Sequence, residues 1–102
     1  MPYIKQEQRD VLAPAISEMK VALAHLDMEG AGMDGVLNYL ISTLVADGLH
    51  PTPTAWSYTD IARAVAVFEC AKLEFYRRVA GPKEDVAVRD NGDIFSYAKL
   101  PQ

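Results

Sequence analysis

Apolar residues recur every three or four positions in the first quarter of the chain, which predicts an amphipathic helix. This face consists of Val11, Leu12, Ala15, Ile16, Met19, Leu23 and Leu26. Pro14 interrupts the pattern, and proline fits the first turn of a helix but breaks its interior. We therefore predict a short turn at residues 6–12, then a helix over residues 14–27 that ends at Gly30-Ala31-Gly32.

A second helix is predicted over residues 35–46. Asp34 is suited to cap its start, and Gly48 is suited to its end. Apolar residues cover more than one face of this segment: Val36, Leu37, Leu40, Ile41, Leu44 and Val45. A helix that is apolar around so much of its circumference is expected to be the central one.

The third predicted helix is the longest. Two prolines make residues 50–56 a linker, and Ser57 with Asp60 three positions later forms a capping box with an acidic partner. The helix continues to about Ala80, where Gly81-Pro82 predicts its end. At about 1.5 Å per residue it is on the order of 35 Å long. This is longer than a chain of this size needs for its own core, and the first half is too apolar for a monomer's surface.

The C-terminal segment, residues 86–97, has the pattern of a β-hairpin. Asn91-Gly92 supplies the two residues that a type I′ turn places at positive φ. An isolated hairpin is marginally stable in water, so this one is expected to lie against the helices or against another subunit. The predicted fold is thus mainly α: three helices with a C-terminal hairpin, in a single domain over residues 1–102.

Composition adds two constraints. Half of the 102 residues are hydrophobic, and so short a chain buries only about two thirds of its unfolded surface on its own, so we expect a homo-oligomer. The formal charge of −4 and the isoelectric point near 5.0 argue against a binder of duplex nucleic acid, which needs a basic face. They leave room for a small phosphorylated ligand held by a few local Arg and Lys residues.

The single cysteine, Cys70, cannot form an intramolecular disulfide or hold zinc by itself. Alanines and Phe68 surround it, so we expect a packed thiol rather than a nucleophile. The charged N-terminus lacks the apolar segment of a signal peptide, and no run approaches the roughly 18–20 apolar residues that span a bilayer. We therefore expect a cytoplasmic protein without a cofactor, a metal or a membrane partner.

Two groups of polar residues interrupt the apolar pattern of the third helix. Each has both a structural and a ligand-binding interpretation. Glu69 lies within an apolar run and shares a face with Lys72 and Tyr76, so it forms either a surface ion pair or a partly buried cluster at a pocket or an interface. Arg77 and Arg78 next to Tyr76 suit either the negative end of the helix dipole or an anionic ligand that stacks, such as a nucleotide.

Asn38 and Tyr39 are the polar intrusion on the second helix. An amide among aliphatic residues usually bonds a helix partner, and the alternative is contact with a ligand. Enzyme hypotheses are weak, because neither His25 nor His50 accompanies a candidate nucleophile in the sequence. The chain also lacks the Glu-x-x-Glu pairs of helical nucleotide pyrophosphohydrolases and any glycine-rich phosphate loop.

Several motifs together resemble a family of small, long-uncharacterised proteins of tailed bacteriophages, prophages and some bacteria. They are Tyr3-Ile4-Lys5-Gln6, Leu37-Asn38-Tyr39, Glu69-Cys70-Ala71-Lys72-Leu73-Glu74-Phe75-Tyr76-Arg77-Arg78, Pro82 with Glu84-Asp85, and Asn91-Gly92-Asp93. The chain departs from this pattern at Val36, Ala64 and Lys83, where the family has glutamate, asparagine and tyrosine. These departures matter most where polar positions line a ligand site.

The chain is also similar to phage sponge proteins, small oligomers that sequester cyclic nucleotide signals of bacterial immunity without catalysis. The resemblance implies a homo-oligomeric binder of a cyclic nucleotide. Its candidate ligand contacts are Asn38, Tyr39, Glu69, Lys72, Tyr76, Arg77 and Arg78. The alternative is a structural or protein-interaction module without a small ligand, and an enzyme is the third hypothesis.

Overall fold

The computed structural model describes residues 3–101, and these form helices joined by short connections. The α-helices are α1 (Gln6–Met28), α2 (Met33–Leu49), α3 (Tyr58–Phe75), α4 (Gly81–Asn91) and α5 (Phe95–Ala98). Residues Tyr76–Ala80 form a π-helical segment between α3 and α4, called the π turn below. The predicted helical character is confirmed, and residues 3–101 contain no β-strand.

The predicted C-terminal β-hairpin is wrong, because helix α4 occupies its first half. Pro82 stands in the first turn of α4, the helical position that proline suits best. Gly92 has φ +91° and donates its N–H to the carbonyl of Val88, which closes the C-terminus of the helix. Asn91 itself has helical geometry rather than the positive φ of a type I′ turn. Asn-Gly here ends a helix instead of joining two strands.

The predicted break at Pro14 is also wrong, since α1 runs through this residue from Gln6 to Met28. Pro14 has no N–H to donate to the carbonyl one turn earlier, a loss that costs about 3 kcal/mol in a helix interior. The flanking residues are mostly good helix formers, and the helical pattern continues on both sides. The predicted end is confirmed: Gly30 has φ +83°, a conformation that suits a residue without a side chain.

The third helix does not stop at Gly81-Pro82. After α3 the chain widens into the π turn, in which Gly81 donates its N–H to the carbonyl of Tyr76, five residues earlier. Pro82 explains this change, because it cannot donate to the carbonyl of Arg78 and its ring crowds that carbonyl. The helical path therefore continues from Tyr58 to Asn91 instead of ending at Ala80.

Helix α2 is longer than the predicted residues 35–46. Its N-cap is Gly32, so Asp34 lies inside the first turn rather than capping it. The linker is non-helical as predicted, and one half of the predicted capping box forms, because the backbone N–H of Asp60 donates to Ser57 Oγ at 3.1 Å. The carboxylate of Asp60 has a different partner, described below.

The chain divides into two compact units, one ending at Val67 and the other beginning at Phe68. In the first unit, α1 packs on α2 through Met19, Leu23 and Leu26 on one side and Val36 and Leu40 on the other, around a small cleft. In the second unit, the π turn runs directly into α4. None of residues 3–101 is buried in either unit, so the apolar half of the composition has no core within one copy of the chain.

Candidate functional site

Five of the seven candidate residues lie in the second unit, at the end of α3 and in the π turn. Glu69 and Lys72 come from the last turns of α3, and Tyr76, Arg77 and Arg78 begin the π turn. A π-helical segment is rare and often accompanies a functional site. The π turn begins with Tyr76, Arg77 and Arg78, the last three residues of the longest motif that carries the family resemblance.

The phenol of Tyr76 is fixed by a carboxylate of α4. Its hydroxyl donates a hydrogen bond to Glu84 Oε1 at 2.8 Å. That hydrogen bond, together with the negative charge of Glu84, raises the pKa of Tyr76 above 10.0, because both favour the neutral phenol. The contact ties the π turn to α4 while the Tyr76 ring stays half-exposed.

The raised pKa of Tyr76 gives a pH prediction. The contact with Glu84 should stabilise the folded unit below the unfolded pKa of 10.0 and be lost as pH rises through the higher folded value. The phenolate absorbance, taken as wild type minus Tyr76→Phe, should therefore appear above pH 10. Glu84→Gln should move that titration to lower pH. A titration that is the same with and without Glu84 would contradict this prediction.

The cations of the site are paired within the unit. Arg77 Nη2 lies 2.9 Å and 3.2 Å from the two carboxylate oxygens of Glu74, and Lys72 Nζ lies 3.6 Å from Glu69 Oε1. Each pair spans three residues of the helical path, and the Lys72 pair is exposed on both sides. Glu69 and Lys72 thus form the surface ion pair, the ordinary one of the two alternatives. Exposed pairs contribute about 0–1 kcal/mol, so an anionic ligand can replace the Glu69 carboxylate beside Lys72 at small cost.

Asn38 and Tyr39 lie in the first unit, on α2. Asn38 Oδ1 accepts a hydrogen bond from Ser42 Oγ at 3.1 Å, one helical turn along. Tyr39 is 74% exposed, and it lines the cleft of about 180 Å³ between α1 and α2 with apolar neighbours. Asn38 thus has the helix partner that an amide among aliphatic residues usually finds. For both residues, contact with a ligand stays a prediction.

Side chains cluster around His50, which the sequence pattern did not predict. Its Nδ1 donates to Asp60 Oδ2 at 3.1 Å, its Nε2 lies 2.8 Å from the carbonyl oxygen of Thr54, and its ring lies 4.8 Å from that of Trp56. The side chains of His50 and Asp60 are 11% and 24% exposed, so both sides of this contact are largely shielded from solvent. Both ring nitrogens are engaged, so the cluster fastens the linker to α3 rather than offering a general base.

Within residues 3–101, no group of three or more His, Cys, Asp or Glu residues is placed to hold a metal ion. Within the same residues, no helix has both the length and the apolar composition needed to cross a bilayer. Cys70 is a free, half-buried thiol.

Sequence comparison places the chain in a family. Residues 1–94 match the model of a domain of unknown function, DUF6899, and the chain belongs to this family. No curated protein matches the chain. No solved structure matches it either.

Proposed function

We propose that the protein is a non-enzymatic homo-oligomer that binds an anionic nucleotide at its π turn. The observation that carries this proposal is the π turn itself, which joins a half-exposed aromatic ring, Tyr76, to the guanidinium of Arg77. An aromatic face for a base and a guanidinium for a phosphate are the two contacts that nucleotide binding needs. Glu74 and Glu84 hold the two side chains in position.

The resemblance supports the finer part of this proposal. It implies a protein of phage or prophage origin that acts in the cytoplasm of the bacterial host. There it sequesters a cyclic nucleotide signal of host immunity and leaves the signal chemically unchanged. Lys72 and Arg78 are the further cationic residues of the same site. Asn38 and Tyr39 are separate candidates for ligand contact within the first unit.

Titration calorimetry against cyclic di- and trinucleotides tests this function. Arg77→Ala removes a charge-assisted hydrogen bond, worth about 1.5–3 kcal/mol in a desolvated site, so the affinity should fall roughly tenfold to a hundredfold. Arg63→Ala is the matched control, because Arg63 is also on the surface of the helical path and also faces an acid three residues away, Asp60, at 4.0 Å. Its affinity should match that of the wild type.

A second candidate is a protein-interaction module without a small ligand. The internal pairing of Lys72 with Glu69 and of Arg77 with Glu74 favours it, since these cations already have anionic partners. Wild-type protein that binds none of the cyclic nucleotides, in calorimetry and in native mass spectrometry, would replace the first proposal by this one. Turnover of a bound nucleotide would contradict both.

A further inference from the structure

Helix α3 carries an apolar stripe that nothing in either unit buries. Its residues follow one another at spacings of four and three, the seam pattern of paired helices. They are Ile61, Val65, Phe68 and Phe75, which are 43%, 60%, 40% and 66% exposed, with Lys72 at the remaining position. We call these five residues the α3 seam. An exposed apolar stripe with this spacing marks a surface that packs against a partner.

The exposed surface area of the chain indicates how large an interface the partner must cover. The chain exposes 8804 Å², whereas a compact monomer of this length exposes about 5,700 Å². The difference is about 3,100 Å² per chain, whereas an obligate homodimer buries about 2,000–5,000 Å² in total, or about 1,000–2,500 Å² per chain, so it is large enough for such an interface. A second copy of the chain is therefore the partner that this surface fits.

We propose that two copies of α3 pack antiparallel along the α3 seam, with their Phe68 side chains at the twofold axis. The position of Lys72 in the α3 seam favours antiparallel over parallel packing of the two helices. A parallel pair in register would place the two Lys72 ammonium groups opposite each other at the seam, where like charges repel. An antiparallel pair instead sets Lys72 against Val65 of the second copy and Ile61 against Phe75, so each apolar residue meets another apolar side chain or the methylene stem of Lys72.

This arrangement gives the candidate site a residue from the second copy. Tyr58 is 91% exposed and stands 18 positions before Tyr76, about five full helical turns, so the two lie on the same side of the seam. In an antiparallel pair, positions on the same side of the seam meet across the interface. With Phe68 at the axis, Tyr58 of one copy comes within a turn of Tyr76 of the other and adds a second aromatic ring beside Arg77.

Disulfide cross-linking tests the direction of packing. In a Cys70→Ser background each variant contains only the cysteines introduced, and Cys70→Ser alone is the negative control. Phe68→Cys should form a covalent dimer on mild oxidation, whereas Ile61→Cys and Phe75→Cys, made singly, should not. The double variant Ile61→Cys/Phe75→Cys should cross-link, and it provides the test even where Phe68→Cys fails to fold.

Three results would overturn the proposal. Cross-linking at all three single positions would show a parallel pair. Absence of cross-links in every variant would show that the second copy does not cover α3, and a monomer in light scattering would assign the stripe to a different protein. None of these results depends on a nucleotide, so they are separate from the test of the proposed function.

The shared site rests on the proposed function and has its own experiment. Tyr58→Ala and Arg77→Ala homodimers should each lose most of their affinity for the cyclic nucleotide that the wild type binds. A heterodimer of the two variants contains one site with both substitutions and one intact site. Equal mixing with random subunit exchange makes about half of the dimers heterodimers, so it should restore about a quarter of the wild-type stoichiometry. Equal affinity of Tyr58→Ala and wild type, or no recovery on mixing, would place the site within one chain.

Discussion

Phe68→Glu should dissociate the protein, and it is the substitution from which we expect the largest effect. Burial of a phenylalanine contributes about 1.5–3 kcal/mol, and a dimer with Phe68 at its axis loses two such contributions and gains two neighbouring charges. The dimer dissociation constant should therefore rise by at least about a hundredfold to ten-thousandfold. Sedimentation velocity over a dilution series measures it directly.

Leu73→Glu is the matched control for this experiment. Leu73 is also on α3 and is more exposed than Phe68, at 55%, but it lies off the α3 seam. The same change from an apolar residue to glutamate at this position should leave the oligomer intact. An oligomer that survives Phe68→Glu, or that dissociates equally in both variants, would contradict an interface on the α3 seam.

The absence of a core explains why dissociation should also unfold the chain. No residue in 3–101 is buried within one copy, although half of the sequence is hydrophobic. Burial of apolar surface is the main force that offsets the entropy lost on folding. We therefore expect the circular dichroism signal of Phe68→Glu to fall on dilution together with its mass, and the melting temperature of the wild type to rise with concentration.

The sequence predicted the helices well where a residue pattern is compatible with only one local structure. Helical spacing located α2 and the part of α1 that follows Pro14, and Ser57 with Asp60 located the start of α3, where the backbone hydrogen bond to Ser57 forms. Gly30 ended the first helix as expected. These features depend on contacts between near neighbours in the chain, which a pattern of residue types can specify.

The C-terminal errors came from residues whose signals have two meanings. Pro82 can follow a helix or stand in the first turn of the next one, and Gly92 can form a hairpin turn or close a helix C-terminus. The structure takes the helical alternative in both cases. Local propensity could not decide between them, because Val86 and Val88 favour a strand while Glu84 and Asp85 suit the first turns of a helix.

The candidate site was predictable in part for a similar reason. The pair of Glu69 and Lys72 depends on helical spacing alone, so it was foreseen as one of two alternatives. The hydrogen bond from Tyr76 to Glu84 depends on the helical path continuing past Pro82, which the sequence argued against. The contact of His50 with Asp60 depends on the path of a proline-containing linker, and no spacing rule predicts that path.

His50→Ala should give the second large effect, a loss of folding stability. It removes a hydrogen bond to a carboxylate and the packing against the Trp56 ring. Hydrogen bonds to charged groups contribute about 1.5–3 kcal/mol and aromatic pairs about 0.5–1.5 kcal/mol, so the free energy of unfolding should fall by about 2–4 kcal/mol. Equilibrium denaturation of wild type and variant at equal protein concentration measures this difference.

His25→Ala is the control for the His50 prediction. His25 also pairs with an acid, Glu29, at 3.1 Å, but both side chains are exposed, at 69% and 62%, so its loss should cost less than about 0.5 kcal/mol.

Asp60→Asn should cost less than His50→Ala, because the backbone N–H of residue 60 still reaches Ser57 and the aromatic pair remains. Equal stability of His50→Ala and His25→Ala would show that the linker does not depend on this cluster. A larger loss in His50→Ala would show that the cluster fixes the start of α3, the helix to which we assign both the interface and the site.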